Sequence, residues 1–180
     1  CRTIQSPAQD AKLPNQLARI RQRQGLIHEA ISCFQQSQSL GEAVIFRTRI
    51  ETALGLSTCY AEIDRSDLAL TVLQGVEGQI REMADGDTAI RWHLNVGQRT
   101  HEIGNPRAAL EHLHLADAAA ARTGMHDYRV ASLTAMARAY QAIQRPDSAR
   151  VCLDTASMVW EAERTISKDP QWREQRGASG

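Results

Sequence analysis

Three alanines, Ala69, Ala109 and Ala149, stand 40 residues apart in both intervals. Six more columns agree at the same shift. They are Ile50, Ile90 and Val130; Leu56, Val96 and Met136; the small trio Ser57, Gly97 and Ala137; Ile63, Ile103 and Ile143; Leu73, Leu113 and Leu153; and Val76, Ala116 and Ala156. A chain that repeats one pattern every few tens of residues folds as an array of like units, each burying its apolar face against its neighbours.

Within each copy the apolar residues recur every three or four positions, which is the helical period. A break falls mid-copy at Asp64-Arg65-Ser66-Asp67, Gly104-Asn105-Pro106 and Gln144-Arg145-Pro146-Asp147. Pro106 and Pro146 suit a first helical turn, where a missing N–H removes no bond. Asn105 can cap the helix that follows. Further breaks at Asp85-Gly86-Asp87 and Thr123-Gly124-Met125 separate the copies. A more divergent first copy places Ala30 and Phe34 39 residues ahead of Ala69 and Leu73, with its turn at Gln24-Gly25. The expectation is an all-α chain of four antiparallel helical hairpins and eight helices, near residues 12–40, 42–84, 87–123 and 126–165. A polar tether, 1–11, precedes this 12–166 repeat domain, and a frayed tail, 167–180, follows it.

Composition agrees. Aromatics are 4% of the chain, with only 11 Gly and 5 Pro, too few for the turn-broken strands of a sandwich or barrel. A hydrophobic fraction of 42% supplies a core. No run is apolar enough to span a membrane. Basic and acidic residues balance at 21 each, so no excess of positive charge exists to neutralise nucleic-acid phosphates.

These columns resemble the tetratricopeptide repeat (TPR). Its first helix carries a large and then a small residue, often with Tyr three on; its second carries Ala, a large residue four later, and Ala three after that. Leu56-Ser57, Tyr60, Ala69, Leu73 and Val76 match, as do Val96-Gly97, Ala109, Leu113 and Ala116, and Met136-Ala137, Tyr140, Ala149, Leu153 and Ala156. The likeness covers roughly residues 12–165. Thr100 and Arg21 stand where the aromatic is usual. The 40-residue period exceeds the family's usual repeat of about 34, and such long repeats are similar to those of bacterial regulators, sensors and envelope proteins.

The resemblance implies a right-handed α-solenoid and a non-enzymatic scaffold that takes a protein or peptide ligand in a concave groove. Carried over position by position, the groove columns are Asn15, Arg19, Gln22 and Arg23; Glu51, Leu54, Thr58 and Glu62; Arg91, Leu94, Gln98, His101 and Glu102; and Thr134, Arg138 and Gln141. The Lys and Asn set with which family members clamp a C-terminal carboxylate is not matched. The alternative is a ligand- or partner-sensing segment of a larger bacterial signalling or transcription-regulatory protein.

No catalytic, metal or cofactor motif appears. The four cysteines, Cys1, Cys33, Cys59 and Cys152, show no CxxC spacing and read as small buried hydrophobes, Cys1 apart. His112 and His114 are two apart and so on different helix faces, whereas His93 and His101 share roughly one face, two turns apart. His112 could face His101 across the hairpin, but no carboxylate completes a site there. Lys12, Arg19, Arg21 and Arg23 form a basic start that could steer an acidic partner or meet anionic head groups, and reads more simply as a solvated face.

Two expectations concern the ends. Cys1 is the residue that lipoprotein cleavage leaves first, which makes it a lipidation candidate and the cell envelope a location; otherwise the chain is cytoplasmic. Met158, Val159, Trp160 and Ile166 follow Ala156 where a terminal repeat needs a polar cap, so the tail through Trp172, another chain, including a second copy, or a missing segment covers them.

Overall fold

The computed structural model describes residues 7–39, 46–82 and 86–168. Cys1 and the tail bearing Trp172 lie outside them, and the side chains of Lys12 and Ile166 are not described. Among the described residues there are nine helices: α1 (Pro7–Arg23), α2 (Ile27–Ser39), α3 (Phe46–Glu62), α4 (Ser66–Gln74), α5 (Glu77–Glu82), α6 (Gly86–Glu102), α7 (Pro106–Thr123), α8 (His126–Ala142) and α9 (Pro146–Lys168). The described residues divide into two compact units, with the boundary between Thr88 and Ala89.

Each hairpin turns on one residue with a left-handed backbone: Gly25 (φ 76°), Asp64 (57°), Gly104 (87°) and Gln144 (59°). These are 39, 40 and 40 residues apart, so the repeat read from side chains is also a repeat of backbone geometry. The amide after each one donates to a carbonyl five residues back. Leu26 bonds Arg21 at 3.0 Å, Arg65 bonds Tyr60 at 2.8 Å, Asn105 bonds Thr100 at 3.0 Å and Arg145 bonds Tyr140 at 2.9 Å. The left-handed residue itself donates three back, as Gly104 does to His101 at 2.9 Å. This pair of bonds is the Schellman cap, and it satisfies carbonyls that a helix end would otherwise orphan. Asn105 then caps α7, accepting from the Ala108 amide at 3.3 Å, with Pro106 in the first turn.

Two of the four caps use residues with a Cβ. A left-handed L-residue is strained by roughly 1–2 kcal/mol, and glycine is not. Gln144→Gly is therefore expected to stabilise the second unit by about 1 kcal/mol, after glycine's larger unfolded-state entropy is set against it. Thermal unfolding of the two proteins side by side checks this, and an unchanged or lower midpoint would show the turn to be unstrained.

Two boundaries differ from the expectation. The first helix begins at Pro7, within the segment assigned to a tether. Proline is at home in a first helical turn, and the buried Asn15 and Ala18 hold the later turns. The second helix of the second hairpin is two pieces, α4 and α5, which raises eight helices to nine. At Gly75 the bonding changes from four residues back (Gly75 to Thr71, 3.2 Å) to three (Val76 to Leu73, 3.3 Å). Glycine holds the helical state less firmly than any residue but proline, so the ladder tightens and breaks there.

The first unit's core gathers Ala18, Ala30, Ile31, Phe34, Leu56 and Cys59 from α1, α2 and α3. The second unit's core joins Leu94 of α6 to Leu113, Met136, Cys152 and the small Ala109, Ala137 and Ala149. Small residues let helix axes approach, and larger ones fill the space alongside. Gly97 sits so close to α7 that an added Cβ would lie 2.6 Å from Leu113 Cγ. Gly55 faces the Phe34 ring in the same way, and an added Cβ there would overlap the ring tip. One repeat column splits: Leu73 and Leu113 are fully buried, while Leu153 is 44% exposed, because no further helix packs over α9 among the described residues.

Candidate functional site

The expected binding columns lie on the first helix of each hairpin, and the two units treat them differently. In the first unit most of these polar groups are engaged with each other. Asn15 is 4% exposed, and its Nδ2 donates to Thr52 Oγ1 at 2.7 Å. Thr52 Oγ1 donates to the Thr48 carbonyl at 2.8 Å, and the Ser37 hydroxyl lies 3.3 Å from the same oxygen. Asn15 is thus an anchor between α1 and α3 and not a surface contact. Arg19 pairs with Glu51 at 3.5 Å, and Arg47 reaches the same carboxylate at 3.6 Å. Gln22 donates to Glu62 at 2.9 Å. Thr58 is turned onto its own helix, bonding the Leu54 carbonyl at 3.0 Å, and Leu54 itself is buried. Arg23 is exposed.

In the second unit α6 and α8 carry the columns. Leu94 belongs to the core. Thr134 back-bonds to the Val130 carbonyl at 2.8 Å, and Gln98 accepts a long hydrogen bond from Arg99 at 3.4 Å. Glu102 is exposed but held by Arg99 at 3.1 Å. Burial pulls the Arg99 guanidinium below its ordinary pKa, and Glu102 works in the opposite direction. His101 is half-buried, with its Nδ1 enclosed and without a hydrogen-bond partner among the described residues. Arg91 is half-buried, whereas Arg138 and Gln141 are exposed. Among the described residues the Arg91 and Arg138 guanidiniums meet no acid. Among the described residues this face therefore carries two arginines outside any ion pair, while Glu102 is already paired and Asp87 lies one turn before Arg91.

Three features were not read from the sequence. His93 Nδ1 and His112 Nδ1 lie 3.1 Å apart, so His112 meets His93 and not His101. The signal was present: facing residues of a hairpin lie at similar distances from its turn, and His93 is 11 residues before Gly104, His112 eight after, and His101 only three before. A cavity of about 500 Å³ lies among α7, α8 and α9, lined by Asp117, Leu133, Met136, Tyr140 and Cys152. Its Asp117 is paired with Arg129 at 3.4 Å, and Tyr140 with His114 at 3.1 Å. A smaller cavity of about 270 Å³ adjoins Gly75, where the helix breaks.

No cluster of three metal-ligating side chains occurs among the described residues. Burial, and after it the charge of Glu62, pushes the Cys59 thiol up to about 11. Burial likewise raises Cys152, with Asp117 adding to it. The thiolate is the reactive form, so both are packing residues and not nucleophiles.

No protein-family model matches the sequence, and no curated protein matches it. The fold does have solved counterparts. The nearly identical TPR-like repeats of a kinesin light chain-like protein from Podosopora anserina superpose with a TM-score of 0.71 at 21% identity, covering 89% of this chain and 80% of that one. A singly substituted form of those repeats gives 0.74 at 20% identity, covering 91% and 81%. The chain has an all-α, TPR-like helical repeat fold.

Proposed function

We propose that this protein is a non-enzymatic interaction scaffold, and that its second unit binds an acidic segment of a partner protein along α6 and α8. The observation that carries the reading is the contrast in how the two units pair their charges. Arg19, Gln22, Glu51 and Glu62 are engaged with each other on the first unit, where Arg23 is the exception, while among the described residues neither Arg91 nor Arg138 forms an ion pair on the second. Charges already paired contribute little to a new contact, whereas uncommitted guanidiniums can fork onto a partner carboxylate. Exposed Gln141 and half-buried Gln98 add hydrogen-bonding capacity beside them. The TPR-like fold supports the choice of a protein partner.

The test is charge reversal. Arg91→Glu combined with Arg138→Glu is expected to weaken binding to a partner purified from the native host by tenfold or more, about 1.4 kcal/mol. The melting temperature should stay within a degree or two, because neither guanidinium forms an ion pair among the described residues and Arg138 is exposed. Unchanged affinity would remove the α6–α8 face from consideration.

Two settings suit such a scaffold: the cell envelope, with a lipid on Cys1, or a sensing segment within a longer bacterial signalling chain. The intact mass of the protein from its native host separates them.

A second reading is self-association through α9. This helix exposes two apolar pairs on opposite flanks of its buried stripe, Val151 with Met158 and Leu153 with Trp160, Met158 being 65% exposed. Apolar pairs of this kind mark contact surfaces. Sedimentation should show a dimer that Leu153→Glu with Met158→Glu converts to monomer. A monomer at every concentration of the unaltered chain would overturn this reading.

A further inference from the structure

We propose that His93 of α6 and His112 of α7 form a two-imidazole site for a divalent transition metal such as Cu(II), Ni(II) or Zn(II). The two Nδ1 atoms are 3.1 Å apart. With metal–nitrogen bonds of about 2.0–2.1 Å, two ligands on one ion are about 2.8 Å apart at a right angle and about 3.4 Å apart at the tetrahedral angle. The observed separation lies between these values, so small ring rotations bring both lone pairs onto one ion.

The surroundings favour the rings as a preset pair. Trp92, 2% exposed, packs edge-on against both, with centroids 5.0 Å from His93 and 5.5 Å from His112. The imidazoles lie 5.3 Å apart at 38°. They come from opposite arms of one hairpin, whose closeness is fixed by Gly97 against Leu113, so the backbone does not have to move to bring them together. Both are half-buried, which leaves a path for an ion.

The metal-free pair shares one proton, from one Nδ1 to the other. Binding replaces that hydrogen bond with two Nδ1–metal bonds, and the displaced proton moves to Nε2 of its own ring, so neutral imidazole remains neutral. No third ligating side chain joins among the described residues. Water or a partner's side chain would complete the coordination, and the affinity is that of a two-ligand chelate, below a closed structural site.

The test uses Trp92 as reporter. The chain holds three tryptophans, so Trp160→Phe with Trp172→Phe leaves Trp92 as sole emitter. Titrating Cu(II) is expected to quench this emission saturably, and Zn(II) should restore it by competition. His112→Gln and, separately, His93→Gln should each weaken the saturable phase at least tenfold, while His114→Gln leaves it unchanged. Circular dichroism establishes that each variant is folded, and either arm alone suffices for the test. Quenching that persists equally in the His93 and His112 variants, or absence of saturable quenching, would show the pair to be only a structural hydrogen bond.

Discussion

Phe34→Ala should lower the stability of the first unit by about 3–5 kcal/mol, the range for removing a fully buried aromatic ring. Phe34 is 0% exposed and closes the contact between α2 and α3. The loss is comparable with much of the roughly 5–15 kcal/mol available to a typical domain, so the variant should melt early and lose helical signal from α1 to α3 first. The ring also explains Gly55. A methyl group added there would overlap the ring tip, so Gly55→Ala overpacks the wild-type core by about 1–3 kcal/mol. Where Phe34 is already alanine the obstruction is gone. Only the helix-propensity gain remains, about 1 kcal/mol in favour of alanine. The same substitution should therefore reverse sign between the two backgrounds. A four-protein thermodynamic cycle reads this directly, and additive effects would mean that Phe34 and Gly55 do not touch.

Gly97→Val should be the most damaging glycine substitution in the second unit, at about 3 kcal/mol, the upper end for overpacking. Its Cβ would meet Leu113 Cγ at 2.6 Å, and the backbone carbonyl of Ala109 stands behind at 3.2 Å. Leu113 is fully buried and has nowhere to retreat. The control is Gly78, inside α5, where an added Cβ meets nothing within 4 Å. Gly78→Ala should stabilise by about 0.5–1 kcal/mol through helix propensity alone. In a chain of this size each kcal/mol moves the melting midpoint by about 2–4 °C. The two glycines should therefore separate by roughly 10 °C, in opposite directions from the parent. Similar melting points would show that close approach of α6 and α7 does not depend on the missing side chain.

The repeat made the hairpins legible. Columns at a 40-residue shift located the turns, and the left-handed residues fall at that same spacing. Gly97 was legible because Ser57 and Ala137 occupy its column in the other copies. Gly55 was not, because its column holds Asn95 and Ala135 and carries no small-residue signature. The break at Gly75 was hidden because the apolar period continues through Val76 and Ile80 into α5, and periodicity does not report a local change from four-back to three-back bonding. Leu113 and Leu153 look alike in sequence and differ in the structure, since burial depends on a neighbour and not on the residue.

The candidate face was legible only as a set of positions. Column carry-over identified Arg19, Glu51, Gln22 and Glu62 as one surface. That they pair across α1 and α3 depends on distances between residues about 32 and 40 apart in sequence, which spacing along one helix does not encode. Asn15 illustrates the limit best. A polar residue at a groove position would be exposed by default, but Thr52 offers it an internal partner, and a satisfied hydrogen bond offsets the cost of burial. The uncommitted Arg91 and Arg138 emerge only once those pairings are known.

Site-specific photocrosslinking is the most direct test of the binding face. A benzophenone side chain at position 141, at the end of α8, is compared with one at position 150 on α9, where the native arginine is also exposed. Crosslinks to the partner from 141 and none from 150 are the expected result, and excess acidic peptide should abolish them. Crosslinks from 150 and none from 141 would contradict the assignment and move the interaction to the second helices of the hairpins.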